Sequence, residues 1–141
     1  VEIRAWQESD RPFLRTLYLH ARRESWRWLD GERWRLEDFD SETLGEKIWV
    51  AVDKGHRVGF ASVLESDNFL HCLFVDPQAQ GRGVGGALLK HVEQQFSGTG
   101  ALKCLAKNNR ALAFYERHGW QPQARGESEQ GEYVLMHYRL P

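Results

Sequence analysis

Hydrophobic and polar positions change period several times along the chain, and each change marks an element. The opening VEIRAW alternates and predicts a short edge strand. Ser9 or Asp10 then caps a helix with Pro12 in its first turn, with Phe13, Leu14, Leu17 and Tyr18 as its apolar face and an expected end before Arg22. The Trp- and acid-rich ESWRWLDGERWRLEDFD keeps neither period and is expected as a short helix plus irregular chain. KIWVAVD and HRVGFASVLE, joined at Lys54-Gly55, read as two antiparallel strands, and FLHCLFV follows as a third after the SDN turn. Leu88, Leu89, Val92 and Phe96 then recur at helical spacing until SGTG stops the helix. ALKCLA is a strand, and Asn109 to His118 is a helix with Ala111, Leu112 and Tyr115 on one face, ended by Gly119. WQPQ and EYVLMHYRL close the chain as strands around a polar loop from Ala124 to Gly131.

The predicted order is β, α, α, a run of strands, then α, β, α, β, β. A purely alternating doubly wound sheet does not fit it. The expected fold is a single α/β (α+β) domain over residues 1–141, with a mixed, mostly antiparallel twisted sheet of about six to seven strands and helices on both faces. No internal repeat or linker divides it. Because an apolar edge strand such as VLMHYRL can pair within or between chains, monomer and homodimer both stay open.

Composition narrows the function. With 41% hydrophobic and 28% charged residues and a net charge of −1, the chain is neither disordered nor built for a polyanion, so nucleic acid is not an expected partner. No apolar run approaches the roughly 18 to 20 residues that cross a bilayer, and VEIRAWQESD lacks signal-peptide features, so a soluble, cytoplasmic protein with no membrane partner is expected. Cys72 and Cys104 lie in short apolar runs as small hydrophobes, with no disulfide expected. The histidines lack metal-ligand spacing, so no metal is expected.

The chemistry concentrates in FVDPQAQGRGVGGALLKHVEQQF, where Gly81, Gly83, Gly85 and Gly86 stand just before a helix-forming run. Free N–H groups and roughly half a positive charge at a helix start suit an anion, above all a phosphate. Gly81, Gly83 and Gly86 satisfy the dinucleotide pattern GxGxxG, but the acid wanted about 20 residues further on is missing from ALKCLAKN. A P-loop is excluded, because no Gly-Lys-Ser/Thr follows. A structural reading, in which the glycines only permit a tight turn and close packing, stays open. In the third reading Gln80, Gly83 and Gly85 match Q/R-x-x-G-x-G/A.

A second block, NNRALAFYERHGW, carries Asn108, Ala111, Tyr115, Glu116, Gly119 and Trp120 in the pattern N-x-x-A-x-x-x-Y-E-x-x-G-F/W. With LFVDPQAQGRGVG, it makes the chain resemble the GNAT superfamily of acyl-CoA-dependent N-acetyltransferases from roughly Gly59 to Pro122. The resemblance implies acetyl-CoA as cosubstrate and transfer of its acetyl group to a primary amine. It further implies that Leu73, Phe74 and Val75 offer main-chain hydrogen bonds to the pantetheine arm. Gln80, Gly81, Arg82, Gly83, Val84, Gly85 and Gly86 would hold the pyrophosphate, and Arg82 either adds charge or is a solvated side chain. Asn108 would meet the cofactor arm, cap a helix, or do both. Tyr115 would lie along the cofactor and protonate the leaving thiolate; its alternative is a packing aromatic.

A lysine-like amine with a pKa near 10.4 costs about 4.6 kcal/mol to deprotonate at pH 7, so a base is wanted. Some branches of the superfamily resembled use a Glu on the strand after the glycine loop, where this chain has Lys103. Others use a His or Glu on the strand of the cofactor contacts. Strict alternation puts Phe69, His71, Leu73 and Val75 on one face there, which makes His71 the candidate base. His71 as a merely hydrogen-bonded residue, and Glu24, Glu65 or Asp67 as base, remain alternatives. Backbone N–H groups near Leu73 would receive the oxyanion. Trp26, Trp28, Trp34 and Phe39 beside Glu24, Asp30, Asp38 and Asp40 suit a cationic acceptor, although the tryptophans equally close a core and Arg22, Arg23, Arg27, Arg33 and Arg35 are interleaved. Small-molecule and peptide amines both stay open, as does a non-catalytic acyl-CoA sensor.

Overall fold

The computed structural model describes residues 1–140. Along the chain come β1 (Glu2–Ala5), α1 (Arg11–Ser25), α2 (Asp38–Glu42), β2 (Lys47–Asp53), β3 (His56–Leu64), β4 (Phe69–Val75), α3 (Val84–Gln95), β5 (Gly100–Leu105), α4 (Asn109–Arg117), β6 (Gln121–Ser128) and β7 (Gly131–Tyr138). The strands form one seven-stranded sheet in the order β1-β2-β3-β4-β5-β7-β6. All neighbours are antiparallel except β4 and β5. This is the mixed, mostly antiparallel sheet expected. α1 and α2 bury Leu14, Leu17, Tyr18 and Phe39 against Val50, Phe60 and Cys72 on one face. Leu88, Leu89 and Val92 of α3 and Tyr115 of α4 pack with Leu102, Trp120 and Met136 on the other. Among the described residues no helix is long and apolar enough to cross a membrane. Cys72 and Cys104 are both buried free thiols.

Three local expectations need correction. α1 continues through Arg22 to Ser25. Arg22 stays on the packed face because its guanidinium lies 4.0 Å over the Tyr18 ring and 4.9 Å from that of Trp34, and donates to Asp38 at 3.1 Å. Phe13 falls beside the stripe set by Leu14, Leu17, Tyr18 and Ala21; it is 56% exposed, beneath Arg57. Finally, the expected loop from Ala124 to Gly131 is mostly strand: β6 runs through Ser128 and pairs with β7 to Gly131. An edge strand with almost every side chain exposed needs no apolar alternation, so its polar sequence hid it.

Two irregularities in β4 matter for the site. Its pairing with β5 is confined to Phe69–Ala101 and Leu70–Leu102, while β3 stays paired with β4 up to Val75 and β7 with β5 up to Leu105. The two central strands therefore part after Leu70, and the β5-facing edge of β4 from His71 to Val75 has no strand partner among the described residues. In addition, Ser62 lies opposite Cys72 and Val63 opposite Leu70, so His71 is the extra residue of a β-bulge.

Candidate active site

The glycine loop begins where β4 ends. The Asp76 side chain accepts from the Gln78 N–H at 2.9 Å and starts the short turn Pro77–Ala79. Gln80 is extended, Gly81 and Gly83 follow at φ of +84° and +78°, and α3 starts at Val84. The first helical bond runs from the Ala87 N–H to the Gly83 carbonyl, 3.0 Å. Between Gln80 and Gly86 no backbone amide finds an acceptor among the described residues. The positive φ accounts for Gly81 and Gly83, where a β-carbon would meet nothing within 4 Å. Gly85 and Gly86 face α4: a β-carbon would lie 3.4 Å from the Phe114 ring or 3.2 Å from His118 Nε2. Conformation and helix packing thus explain the four glycines, and they leave a row of open amides at the positive end of a 12-residue helix. The Val84 side chain is in the core, so only its amide faces the loop. Arg82 reaches into solvent, 3.8 Å from Asp53.

The gap between β4 and β5 leads from this loop to two ionisable side chains. On α4, Tyr115 is buried in the core that α3 and α4 form with the sheet. Burial, with a smaller contribution from the Cys104 and Cys72 thiols, holds its pKa well above the usual tyrosine range, so the hydroxyl keeps its proton. Burial likewise pushes the Cys104 thiol up to about 12 and raises Cys72, first by burial and then by the Glu46 and Glu42 carboxylates. Thiols held protonated are poor nucleophiles. Asn108 caps α4, its Oδ1 accepting from the Ala111 N–H at 3.2 Å.

His71 is turned by the bulge. The expectation that it shares a face with Leu73 and Val75 fails, since these two pack against the α3 and α4 core whereas His71 meets groups from the α1 and α2 side. Its Nδ1 lies 3.0 and 2.9 Å from the two Glu46 carboxylate oxygens, and its Nε2 lies 3.6 Å from Glu42 Oε2. The fully buried Ser62 hydroxyl donates to Glu46 Oε1. Glu46 is carried by the turn after α2, where its N–H donates to the Thr43 carbonyl at 2.9 Å and Gly45 takes φ of +80°. Sequence reasoning missed Glu46 and Glu42; the only linear signal was a carboxylate just ahead of the β2 pattern.

The remaining candidates lie apart from His71. Glu24 is exposed and pairs with Arg27, and Glu65 and Asp67 are exposed in the turn before β4. Lys103 is exposed on β5, its ammonium 5.0 Å from the Tyr133 ring. Nor do the acids after α1 form a free anionic pocket. Asp38 binds Arg22, Asp40 binds Arg11 at 2.6 Å and Arg15 at 2.5 Å, and Asp30 accepts from the Glu32 N–H. Phe39 is core, while Trp26 sets its edge against Trp34 and against Phe74 of β4. Trp26 thereby joins the helix connection to the strand that borders the gap.

Known proteins resemble the chain in sequence and in fold. Residues 45–122 match the family described as acetyltransferase (GNAT) domain. Peptidyl-lysine N-acetyltransferase YiaC of Escherichia coli (strain K12) is 31% identical over 123 residues, covering 84% of this chain and 82% of that protein. Peptidyl-lysine N-acetyltransferase YjaB of Salmonella typhimurium is 33% identical over 97 residues, 67% of this chain and 65% of that protein. The solution structure of apo-form YjaB from Escherichia coli superposes with a TM-score of 0.80 at 24% identity, covering 97% of this chain and 96% of that one. The PaiA N-acetyltransferase of Thermoplasma acidophilum, solved in complex with coenzyme A, gives 0.79 at 16% identity over 99% and 98% of the two chains. The class these matches define is that of acyl-group transferases. The chain belongs to the GNAT family and is an acetyl-CoA-dependent N-acetyltransferase.

Proposed function

We propose that this enzyme acetylates a lysine side-chain amine of a peptide or protein by direct attack in a ternary complex. The observation that carries the reading is the row of partnerless amides from Gln80 to Gly86, continuous with the unpaired edge of β4 that runs back to His71. Acetyl-CoA supplies an acetyl group already activated as a thioester. The amides of Gln80, Gly81, Arg82, Gly83, Val84, Gly85 and Gly86 receive its diphosphate, with Arg82 adding charge at the rim. The main chain of Leu73, Phe74 and Val75 takes the pantetheine arm as an added strand would be taken, beside Asn108 and Tyr115. The names of two relatives, both peptidyl-lysine N-acetyltransferases, support the acceptor class.

In the reaction His71 takes a proton from the acceptor ammonium through Nε2, which frees the nitrogen lone pair to bond to the thioester carbonyl carbon. Backbone N–H groups near Leu73 receive the charge that develops on the carbonyl oxygen. As the carbon–sulfur bond breaks, Tyr115 gives its proton to the departing thiolate, and the second proton of the new amide nitrogen returns to the Tyr115 oxygen, which restores the hydroxyl. The protonated thiols of Cys72 and Cys104 favour this direct route over an acyl-enzyme.

The test is thiol release from acetyl-CoA across a panel of a lysine peptide, a polyamine and an aminoglycoside. The proposal expects turnover highest on the lysine peptide. Turnover confined to a small amine would overturn the acceptor class, and tight acetyl-CoA binding without turnover on any amine would point instead to a sensor.

A further inference from the structure

A chain of side chains outside the motifs joins Ser62, Glu46 and His71. Three elements supply it: β3 gives Ser62, the turn after α2 gives Glu46, and the bulge of β4 gives His71. We infer that Glu46 is a positioning residue of the reaction: anchored by Ser62, it accepts the His71 Nδ1–H, fixes the ring, and leaves the Nε2 lone pair toward the acceptor. This rests on the reading of His71 as the base.

Two carboxylates face the ring, and geometry separates their roles. Glu46 Oε1 lies at hydrogen-bond distance from Nδ1, 3.0 Å, and the Glu46 side chain is 11% exposed, whereas Glu42 stands 3.6 Å from Nε2 and is 49% exposed. The first contact is a directed bond and the second is too long for one. Glu46 is also immobilised from behind, because the wholly buried Ser62 hydroxyl spends its proton on Oε1. The remaining groups around the ring are no competitors for Nδ1. Phe69 lies along the same strand with its ring centroid 6.5 Å away, and the nearby guanidinium of α1, Arg22, is engaged by Asp38 and the Tyr18 ring. A free imidazole places its neutral proton mostly on Nε2, and the tautomer in a protein follows the bond made by the other nitrogen. A proton held on Nδ1 is therefore a signature that Glu46, and no general property of histidine, sets the ring.

Long-range proton–nitrogen NMR on the full chain labelled with ¹⁵N-histidine, recorded at a pH where His71 is neutral, reads this without any acceptor. The wild type should show His71 protonated at Nδ1. Glu46→Ala should move the proton to Nε2, and Ser62→Ala should give a mixture. If Glu46→Ala fails to fold, the isosteric Glu46→Gln replaces it and should disorder the tautomer in the same direction. A wild-type ring protonated at Nε2, or a pattern unchanged in every variant, overturns the inference. In the acyl-transfer assay Glu46→Gln should lower kcat by about tenfold or more and leave KM for acetyl-CoA within about twofold, a fraction of what a general base contributes. An unchanged kcat would also overturn it. An inactive wild type would instead count against the proposed acceptor, and the tautomer result would stand.

Discussion

Tyr115 and His71 occupy opposite chemical situations, one a buried hydroxyl that retains its proton and the other a half-open imidazole set between carboxylates. An acid and a base are both wanted in amide formation from a thioester, and each should be separately removable. Tyr115→Phe, which keeps the ring against the core, should lower the transfer rate by about tenfold or more, and His71→Ala should do the same. Steady-state rates at several pH values check both, and the roles fail if neither variant loses that much. The place of Tyr115 on α4 was legible because NNRALAFYERHGW sets it at fixed spacing on one helix. The partner of His71 was not, because the contact with Glu46 spans 25 residues and depends on a bulge that no periodicity announces. Strict alternation assigned the wrong neighbours to His71 for the same reason.

Among the elements, the turn into α3 carries the sharpest constraint. Gly83 sits at φ of +78° with open space around its α-carbon. Gly83→Ala should therefore cost about 1–2 kcal/mol of stability through backbone strain alone, measurable by urea denaturation, and should weaken acetyl-CoA binding by tilting the amides. A variant as stable as the wild type would refute the conformational account of this glycine. The pattern FVDPQAQGRGVGG announced the loop, since four glycines within six positions ahead of an amphipathic run mark a sharp turn into a helix. The second half of β6 escaped detection because Ala124 to Ser128 line an exposed edge, where strand formation rests on pairing with β7 and leaves no apolar trace. α1 outran its expected end because Arg22 packs on aromatic rings, a use of arginine that a hydropathy pattern scores as solvent.

For the molecule as a whole, one buried charge ties the first strand to the sheet. Asp10 is fully buried and binds Arg4 at 2.8 and 2.9 Å, Arg57 at 2.6 Å and the Gln7 N–H at 2.7 Å, joining β1, β3 and the start of α1. These partners, Arg4 foremost, hold its carboxyl far below the ordinary value of 3.8. A depressed native pKa means that this contribution is complete above the ordinary value and is lost as pH falls through it toward the native one. Asp10→Asn should cost about 3 kcal/mol at pH 7, the low end for a broken buried pair because both guanidiniums reach solvent, and the difference from wild type should shrink on acidification below about pH 4. Equilibrium denaturation at pH 7 and at acid pH checks the sign; a gap that widens in acid would contradict it. Acetyl-CoA at a hundred times its dissociation constant should stabilise the native chain by about 2.7 kcal/mol. The most direct measurement is a titration of acetyl-CoA into ¹⁵N-labelled protein, followed through the backbone amides. The largest shifts should fall on Gly81 to Gly86 and on Leu73 to Val75. Saturable shifts confined to other residues, or none at all, would contradict the placement of the cosubstrate in the gap between β4 and β5.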